Sequence, residues 1–434
     1  MAYSTDTRTI QPGDTYVAIR GEVYDGHDFI TLAIEKGAAG VVTEIDVDTP
    51  DGVEVIRVES TLDYLIRKAS EKVRLHAPDI VAITGSVGKT STKTAVRAVL
   101  VEAFDVVASE GNKNTPLGLS LTLLNADFDS ETKLVLEMGA RLKGDIKELC
   151  SYFPPTVSVV TNVKGVHVAT FGSIDGVQRE KSEIVRALGT GGTACLNGDD
   201  DLVRAMADHH QGTTLLYGTS EGCDIQSEHI TAELSILGDH AIYTALAACA
   251  AGRAFGMSFK AINRGLANIQ REKGRLAKLH GRNDSVLIDD TYNASPEATL
   301  AALRVLVNQK GTSHIAFLGD MLELGESEAE EHAHVLAAAV ESVDAVHAVG
   351  PIMARSAETL PTGQQTRITL HPTSSDLAEA LRAGHVYEPQ PGDVILVKGS
   401  QGTRMERISE VLLHSDFNPK DVLPRQSESW KQIS

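Results

Sequence analysis

Six consecutive residues, Gly85-Ser86-Val87-Gly88-Lys89-Thr90, carry the sharpest chemical signal in the chain. They follow an apolar run, IVAIT, and lead into a helical stretch, STKTAVRAVL. Glycines let a backbone turn tightly, so that successive N–H groups converge on one anion. The positive end of the following helix adds to that attraction. Lys89 is placed to reach the β- and γ-phosphates and the Thr90 hydroxyl to hold Mg²⁺, as in a nucleoside triphosphate loop. Ile83 occupies the first glycine position of the longer G-x-x-x-x-G-K-[ST] pattern, so this is the shorter T-G-x-x-G-K-T form. The competing interpretation is a glycine-rich turn that binds nothing. The unbroken order of strand, GKT and helix weighs against it. Such a loop specifies the nucleotide and leaves the reaction open.

Three further residues stand at or beyond predicted strands: Glu137 in LVLEMGA, His167 in TNVKGVHVATFGS and Lys181 in QREKSEI. In parallel α/β sheets ligands gather beyond the carboxyl ends of strands. Glu137 could therefore hold Mg²⁺, although a strand-end glutamate is more often a solvated or capping group. A histidine is an unusual Mg²⁺ ligand, since the ion prefers oxygen. Lys181 alone reads as a surface helix lysine. Spacing by itself does not unite the three.

The elements that must position these residues alternate short β-branched runs with helical stretches, the pattern of α/β domains with parallel sheets. Strands are predicted at 80–84, 133–138, 157–163, 285–290, 314–320, 345–350 and 393–399. Several are apolar at consecutive positions, as when helices cover both sheet faces. Residues 1–76 form a small α/β unit closing on a charged helix, TLDYLIRKASEKVRL, and Ala77-Pro78 then breaks the pattern. A second break falls in REKGRLAKLHGRND. Three domains follow: 1–77, 78–280 and 281–434. His332 and His334, two apart on a helix, face different ways and make no metal pair. The tail PRQSESWKQIS reads as polar and frayed, with Trp430 as its one candidate anchor.

Composition narrows the field. The 434 residues include 40 basic and 59 acidic side chains, a formal charge of -19, which excludes general binding to nucleic acid or anionic membrane as the main task. An anionic ligand must be caught by a local positive site. No apolar run approaches the ~20 residues of a bilayer span, and the first thirty residues lack a signal-peptide pattern. The four cysteines, Cys150, Cys195, Cys223 and Cys249, contain no C-x-x-C pair, which fits reduced thiols in a cytoplasm.

The order of motifs resembles the Mur ligases, ATP-dependent amide ligases of peptidoglycan synthesis. The resemblance rests on TGSVGKTST, GNKNTPLGLSLTLL, LEMGARLKGDIKELC, TNVKGVHVATFGSIDGVQREKSEI, LIDDTYNASPEATLAAL, FLGDMLELGE and LVKGSQGTRMERI. At the N-terminus, DTRTIQPGDTYVAIRGEVYDGHDFI resembles the family's uridine-nucleotide domain. The resemblance implies three α/β domains: a small nucleotide-peptide domain, a central P-loop ATPase domain with a parallel sheet, and a Rossmann-like C-terminal domain. It implies ATP held by Gly85, Ser86, Val87, Gly88, Lys89, Thr90 and Ser91, with Asp290 and Asn293 beside the nucleotide. Two Mg²⁺ ions would be held by Thr90, Glu137, His167 and Lys181, the last carrying CO₂ as a carbamate that presents oxygen. Lys89, Lys181, His167 and Arg275 would serve catalysis, Arg275 near the γ-phosphate. Thr7 and Arg8 would bind the uridine diphosphate, Asn112, Asn114 and Thr115 the nucleotide-peptide, and Tyr292 would stand beside the incoming amine. The implied reaction adds D-alanyl-D-alanine to UDP-N-acetylmuramoyl tripeptide in a cytoplasmic monomer that supports cell-wall growth, cell shape and division. A sister ligase acting on another acceptor or precursor, and a binding protein of the same fold without turnover, are the alternatives.

The chain departs from the family pattern at three places. In LGDHAIYTALAACA, Ala241 and Thr244 replace asparagines expected near adenine, so adenine recognition is either lost or supplied by another group. The segment after DIQSEHITAEL is short. Gln401 stands where an arginine is common.

Overall fold

The computed structural model describes residues 2–21, 24–111, 113–165, 168–234, 238, 240–269 and 272–431. Its strands form three sheets. The first contains β1 (Tyr3–Ser4), β2 (Thr15–Val17), β3 (Gly40–Thr43) and β4 (Glu54–Arg57), all parallel in that order. Thr61–His76 is its charged helix, capped at the start by Ser60 and at the end by Ala77 in the left-handed region (φ 46°). Pro78 follows at once and prevents the helix from continuing. Lys72 on this helix reaches across to the next sheet's layer. Its ammonium donates to the carbonyls of Leu123 (3.1 Å) and Ala126 (2.5 Å), at the carboxyl end of the helix Pro116–Asn125.

The second sheet contains β5 (Asp79–Thr84), β6 (Val106–Ala108), β7 (Lys133–Glu137), β8 (Val157–Val160), β9 (Thr193–Asn197) and β10 (Thr213–Tyr217). All are parallel, in the order β10-β9-β8-β5-β7-β6. Strands β7 and β8 are buried at every residue, Lys133, Glu137 and Ser158 included, as in a sheet with both faces covered. From β5 the chain passes to the edge strand β6, returns to β7 beside β5, and then crosses to β8, β9 and β10 on the other side, so a topological switch point lies beside β5.

The third sheet contains β11 (Ala277–His280), β12 (Val286–Asp290), β13 (Ser313–Gly319), β14 (Ala345–Val349), β15 (Ile368–His371) and β16 (Asp393–Lys398), in the order β11-β12-β16-β13-β14-β15. Only β11 runs antiparallel. The seven predicted strands are all present; of the nine others among the described residues, β9 is an interior strand as long as β7, and the rest are four residues or fewer or lie at sheet edges. Two expectations need correction. Residues 161–163, read as the end of β8, leave the sheet and turn toward the glycine loop, for reasons given below. The boundary at 281 separates β11 from its partner β12. Ala277 is buried against that pairing, and of the two compact units into which the chain divides, the second takes Leu234–Ala241 and Ile269–Ser434.

Over its described residues the tail is anchored rather than frayed, and its candidate anchor Trp430 is among the contacts. The Arg425 guanidinium donates to the carbonyls of Tyr292 and Thr291 and pairs with Glu406 at 3.1 Å. Trp430 lies under the Arg404 guanidinium, 5.4 Å from the ring centre. The polar composition suggested fraying because its charges were counted as solvated; two of the tail's partners, Glu406 and Arg404, are buried instead. His332 is a buried structural histidine. Its Nε2 accepts from the Met321 N–H, and its Nδ1 donates to the Glu328 carbonyl. All four cysteines are buried free thiols. Among the described residues no helix is long and apolar enough to cross a membrane.

Candidate active site

The glycine loop connects β5 to the helix Lys89–Leu100. Gly88 caps that helix in the left-handed region (φ 85°) and offers no side chain to its N–H groups, so the positive helix end is left for an anion. Gly85 sits at φ 152°, and a Cβ there would strike the Thr161 hydroxyl. Only glycine allows this approach. Lys89 Nζ donates to the carbonyls of Gly85 (2.8 Å) and Ser86 (3.1 Å), so its charge lies over the loop. Thr90 is buried, and Ser91 is half-buried on the same first turn.

What holds the loop is the segment after β8. The Thr161 hydroxyl donates to the Val87 carbonyl (2.7 Å), and Asn162 Nδ2 donates to the same oxygen (3.0 Å). Asn162 Oδ1 accepts from the Val87 N–H (2.9 Å), and its carbonyl accepts from the Ser86 N–H (3.0 Å). The Lys164 N–H donates to Ser86 Oγ (2.9 Å). Asn197 Nδ2 in turn donates to the Thr161 carbonyl (2.8 Å). These obligations explain why Thr161–Val163 abandon the β8 ladder. The sequence reading quoted TNVKG as a motif without assigning either Thr161 or Asn162 a role. Polar residues directly after a buried strand were the available signal.

Glu137 is the last residue of β7 and pairs in register with Ile83, two residues before Gly85. Its carboxylate is buried. Oε1 accepts from Asn114 Nδ2 (3.0 Å), and the Glu137 N–H donates to Ser109 Oγ (3.1 Å). Oε2 is buried with no hydrogen-bond donor, although the Lys93 ammonium lies 3.8 Å away. A buried carboxylate oxygen without a hydrogen bond is costly, and a divalent cation is one group that would satisfy it. Asn114 is thus committed to orienting Glu137. Thr115 caps the helix Pro116–Asn125, its hydroxyl accepting from the Gly118 N–H (3.3 Å). Asn112 and His167 lie outside the described residues.

Lys181 lies on the helix Ile174–Arg186, capped by Ser173. It is only 5% exposed. Burial, and next the nearby charge of Lys89, bring its amine down to about 7 from the ordinary lysine value. Its neighbour Glu180 has a separate task. The two carboxylate oxygens accept from the N–H groups of Ile146 (2.9 Å) and Gly144 (2.7 Å), capping the helix Asp145–Tyr152, whose own Gly144 cannot. The helix His240–Ala254 buries Ala241 and Thr244. Its Tyr243 hydroxyl donates to Asp199 Oδ2 (2.9 Å), which also accepts from the Thr219 N–H and hydroxyl. These hydrogen bonds hold the Asp199 carboxyl well below the usual carboxylate range despite partial burial.

In the N-terminal sheet's layer, Arg8 is exposed and forked onto Asp6 (Nε–Oδ1 2.9 Å, Nη2–Oδ2 2.7 Å). Lys36 Nζ donates to the Thr7 carbonyl (2.8 Å), so two cations flank this turn.

The third unit holds its own constellation. Arg275 stacks on Tyr292, 4.2 Å from guanidinium carbon to ring centre, and pairs with Glu272 at 3.3 Å. Asp290 ends β12 with both oxygens engaged: Oδ2 accepts from Lys398 Nζ (2.6 Å) and Oδ1 from the Leu276 N–H (3.1 Å). Lys398 also donates to the carbonyl of Asn293, whose side chain is exposed. Lys398 and Arg425 were not singled out from sequence. Nothing in their spacing marks them: Asp290, which Lys398 holds, and Tyr292, which Arg425 holds, each lie more than a hundred residues away.

Family models match along the chain in order. "Mur ligase family, catalytic domain" covers residues 2–82, "Mur ligase middle domain" 83–252 and "Mur ligase, glutamate ligase domain" 274–401. A UDP-N-acetylmuramoyl-tripeptide–D-alanyl-D-alanine ligase of Bacillus subtilis is 32% identical over 96% of this chain and 93% of its own length. The Escherichia coli protein of the same name is 30% identical over 95% and 93%. The structure resembles MurF from Acinetobacter baumannii with TM-score 0.83 and 28% identity, covering 94% of this chain and 93% of that one. MurF ligase from Thermotoga maritima in complex with ADP gives TM-score 0.78 at 29% identity, covering 94% and 96%. On full-length likeness in sequence and fold, the chain belongs to the Mur ligase family.

Proposed function

We propose that this protein is an ATP-dependent amide ligase of peptidoglycan precursor synthesis, joining D-alanyl-D-alanine to UDP-N-acetylmuramoyl tripeptide. The observation that carries this reading is the braced loop Gly85–Thr90 with Lys89 over it, Glu137 in register beside it, and a buried Lys181 within its field. Domains are assigned as 1–77 for the uridine nucleotide, 78–268 for ATP and 269–434 for the incoming amine. The last two limits take β11 with its sheet.

A carboxylate is a poor electrophile because an oxide ion must leave. Its attack on the γ-phosphorus of ATP releases ADP and forms an acyl phosphate. The dipeptide amine then attacks the carbonyl carbon, phosphate departs with the C–O electron pair, and the amine loses a proton. The first step brings two anions together. Lys89 offsets that repulsion from the loop, and Arg275, held by Tyr292 and Glu272, is assigned the same task from the third unit. The loop N–H groups and the helix end of Gly88 orient the triphosphate.

The donor set fits Mg²⁺, since Glu137 Oε2 and the Thr90 hydroxyl are hard oxygens and the former lacks a hydrogen bond. Bound Mg²⁺ supplies positive charge to the phosphoryl group in transfer. Lys181 and His167 complete the assigned ligands. An amine near 7 is largely neutral at physiological pH, the form able to add to CO₂; a nitrogen–carbon bond forms, one proton leaves, and an anionic oxygen donor results. Asp290 and Asn293 are assigned to the nucleotide side of the third unit, with Lys398 fixing their loop. Thr7 and Arg8 are assigned to the uridine diphosphate, and Asn112, Asn114 and Thr115 to the nucleotide-peptide, Asn114 through the turn it shares with Glu137.

Phosphate release measured with ATP, Mg²⁺, UDP-N-acetylmuramoyl tripeptide and a panel of amines tests the reading. Release that requires D-alanyl-D-alanine supports it. Release with a different amine moves the assignment to a sister activity, and no release with any amine refutes catalysis.

A further inference from the structure

We propose that Lys93 is a positioning residue whose ammonium stands in for metal charge at Glu137 and ties that carboxylate to the substrate segment at Gly111. The inference rests on the ligase reading above and deepens it. Lys93 lies one helical turn beyond Lys89, on the same face of the helix Lys89–Leu100. It is 4% exposed, an unusual place for a lysine. Its Nζ donates to the Gly111 carbonyl at 2.6 Å and lies 3.8 Å from Glu137 Oε2, the oxygen that lacks a hydrogen bond. Glu137 Oε1 is held by Asn114, so both ends of the carboxylate connect to the 111–114 turn, one through Lys93 and one directly. The charge of Lys93 is also felt by Glu110, whose carboxyl is held low by Lys113 first and Lys93 last.

Two consequences of opposite sign follow. In a site this dry, a fixed ammonium beside Glu137 repels any second cation that approaches Oε2. Lys93 therefore weakens divalent binding in the free enzyme. The same ammonium anchors the turn that presents the substrate segment, so it strengthens binding of the nucleotide-peptide. A residue that served only to support the local fold would strengthen both.

Full-length Lys93→Met separates the two. Mn²⁺ binding to nucleotide-free protein is read from the paramagnetic resonance signal of free Mn²⁺, and UDP-N-acetylmuramoyl tripeptide binding by calorimetry without ATP. The expected result is a Mn²⁺ Kd lowered roughly three- to tenfold and a tripeptide Kd raised roughly tenfold. Lys93→Gln removes the charge and keeps a donor, so it tightens Mn²⁺ with a smaller loss of tripeptide. Parallel weakening of both ligands, or unchanged Mn²⁺ affinity in both variants, overturns the inference. Wild-type protein that binds neither probe overturns the ligase reading, and this inference with it.

Discussion

Lys181 gives the residue scale its clearest consequence. Its buried amine titrates near 7 in the folded chain, against 10.5 for an ordinary lysine. The uncharged form needed for CO₂ uptake therefore dominates above about 7 and is lost as pH falls through that value. Turnover limited by the carbamate should fall at least tenfold between pH 8 and pH 6, and bicarbonate should restore part of it; a flat profile in CO₂-depleted buffer would contradict the role. The same shift bears on stability with the opposite appeal. Below 7 both folded and unfolded chains carry the proton and the burial penalty is full; it shrinks as pH rises toward 10.5. In CO₂-free buffer Lys181→Met should stabilise the protein at pH 6 by about 1 to 3 kcal/mol, with the gain vanishing near pH 10 in urea titrations. At this scale the sequence was legible where backbone chemistry is local, as in Gly85 through Thr90. It was mute on Thr161, Asn162 and Lys93, whose value comes from partners brought near only by the sheet.

At the scale of elements, the segment after β8 acts as a brace for the glycine loop. Asn162→Ala removes an acceptor and a donor from Val87 and should weaken ADP binding by about 1 to 2 kcal/mol, measured by calorimetry, while leaving β8 intact. The strand prediction over-ran here because Val163 resumes the apolar pattern after Thr161 and Asn162, and the partners those two polar residues find in the loop end the strand at Val160. Short edge strands such as β6 and β15 escaped notice for a different reason: three or four residues carry too little periodicity. The tail shows a third kind of failure. Arg425 reads as a solvated charge, yet it bonds two carbonyls and pairs with buried Glu406. Arg425→Ala should destabilise the third unit by about 3 kcal/mol in urea unfolding.

For the whole molecule, the second and third sheets were readable from the alternation of strand and helix, the second also from its glycine loop, whereas the first was legible only as a small α/β unit with none of its strands marked. The third domain's start was not, because REKGRLAKLHGRND looks like a linker while Ala277–His280 within it pairs with β12. A fragment 269–434 should fold cooperatively by circular dichroism. The shorter 281–434 lacks β11, exposes the β12 edge, and should be less stable by roughly 2 kcal/mol or aggregate. With a net charge of -19, capture of an anionic substrate must rest on local cations, the role proposed for Lys89 and Arg8. Finally, the chain contains a single tryptophan, and it is the one that lies beneath Arg404. Intrinsic fluorescence therefore comes with a built-in address: emission excited at the indole band reports whether the last turn is docked. Every unfolding or ligand titration on the native protein can follow that event optically, without a label.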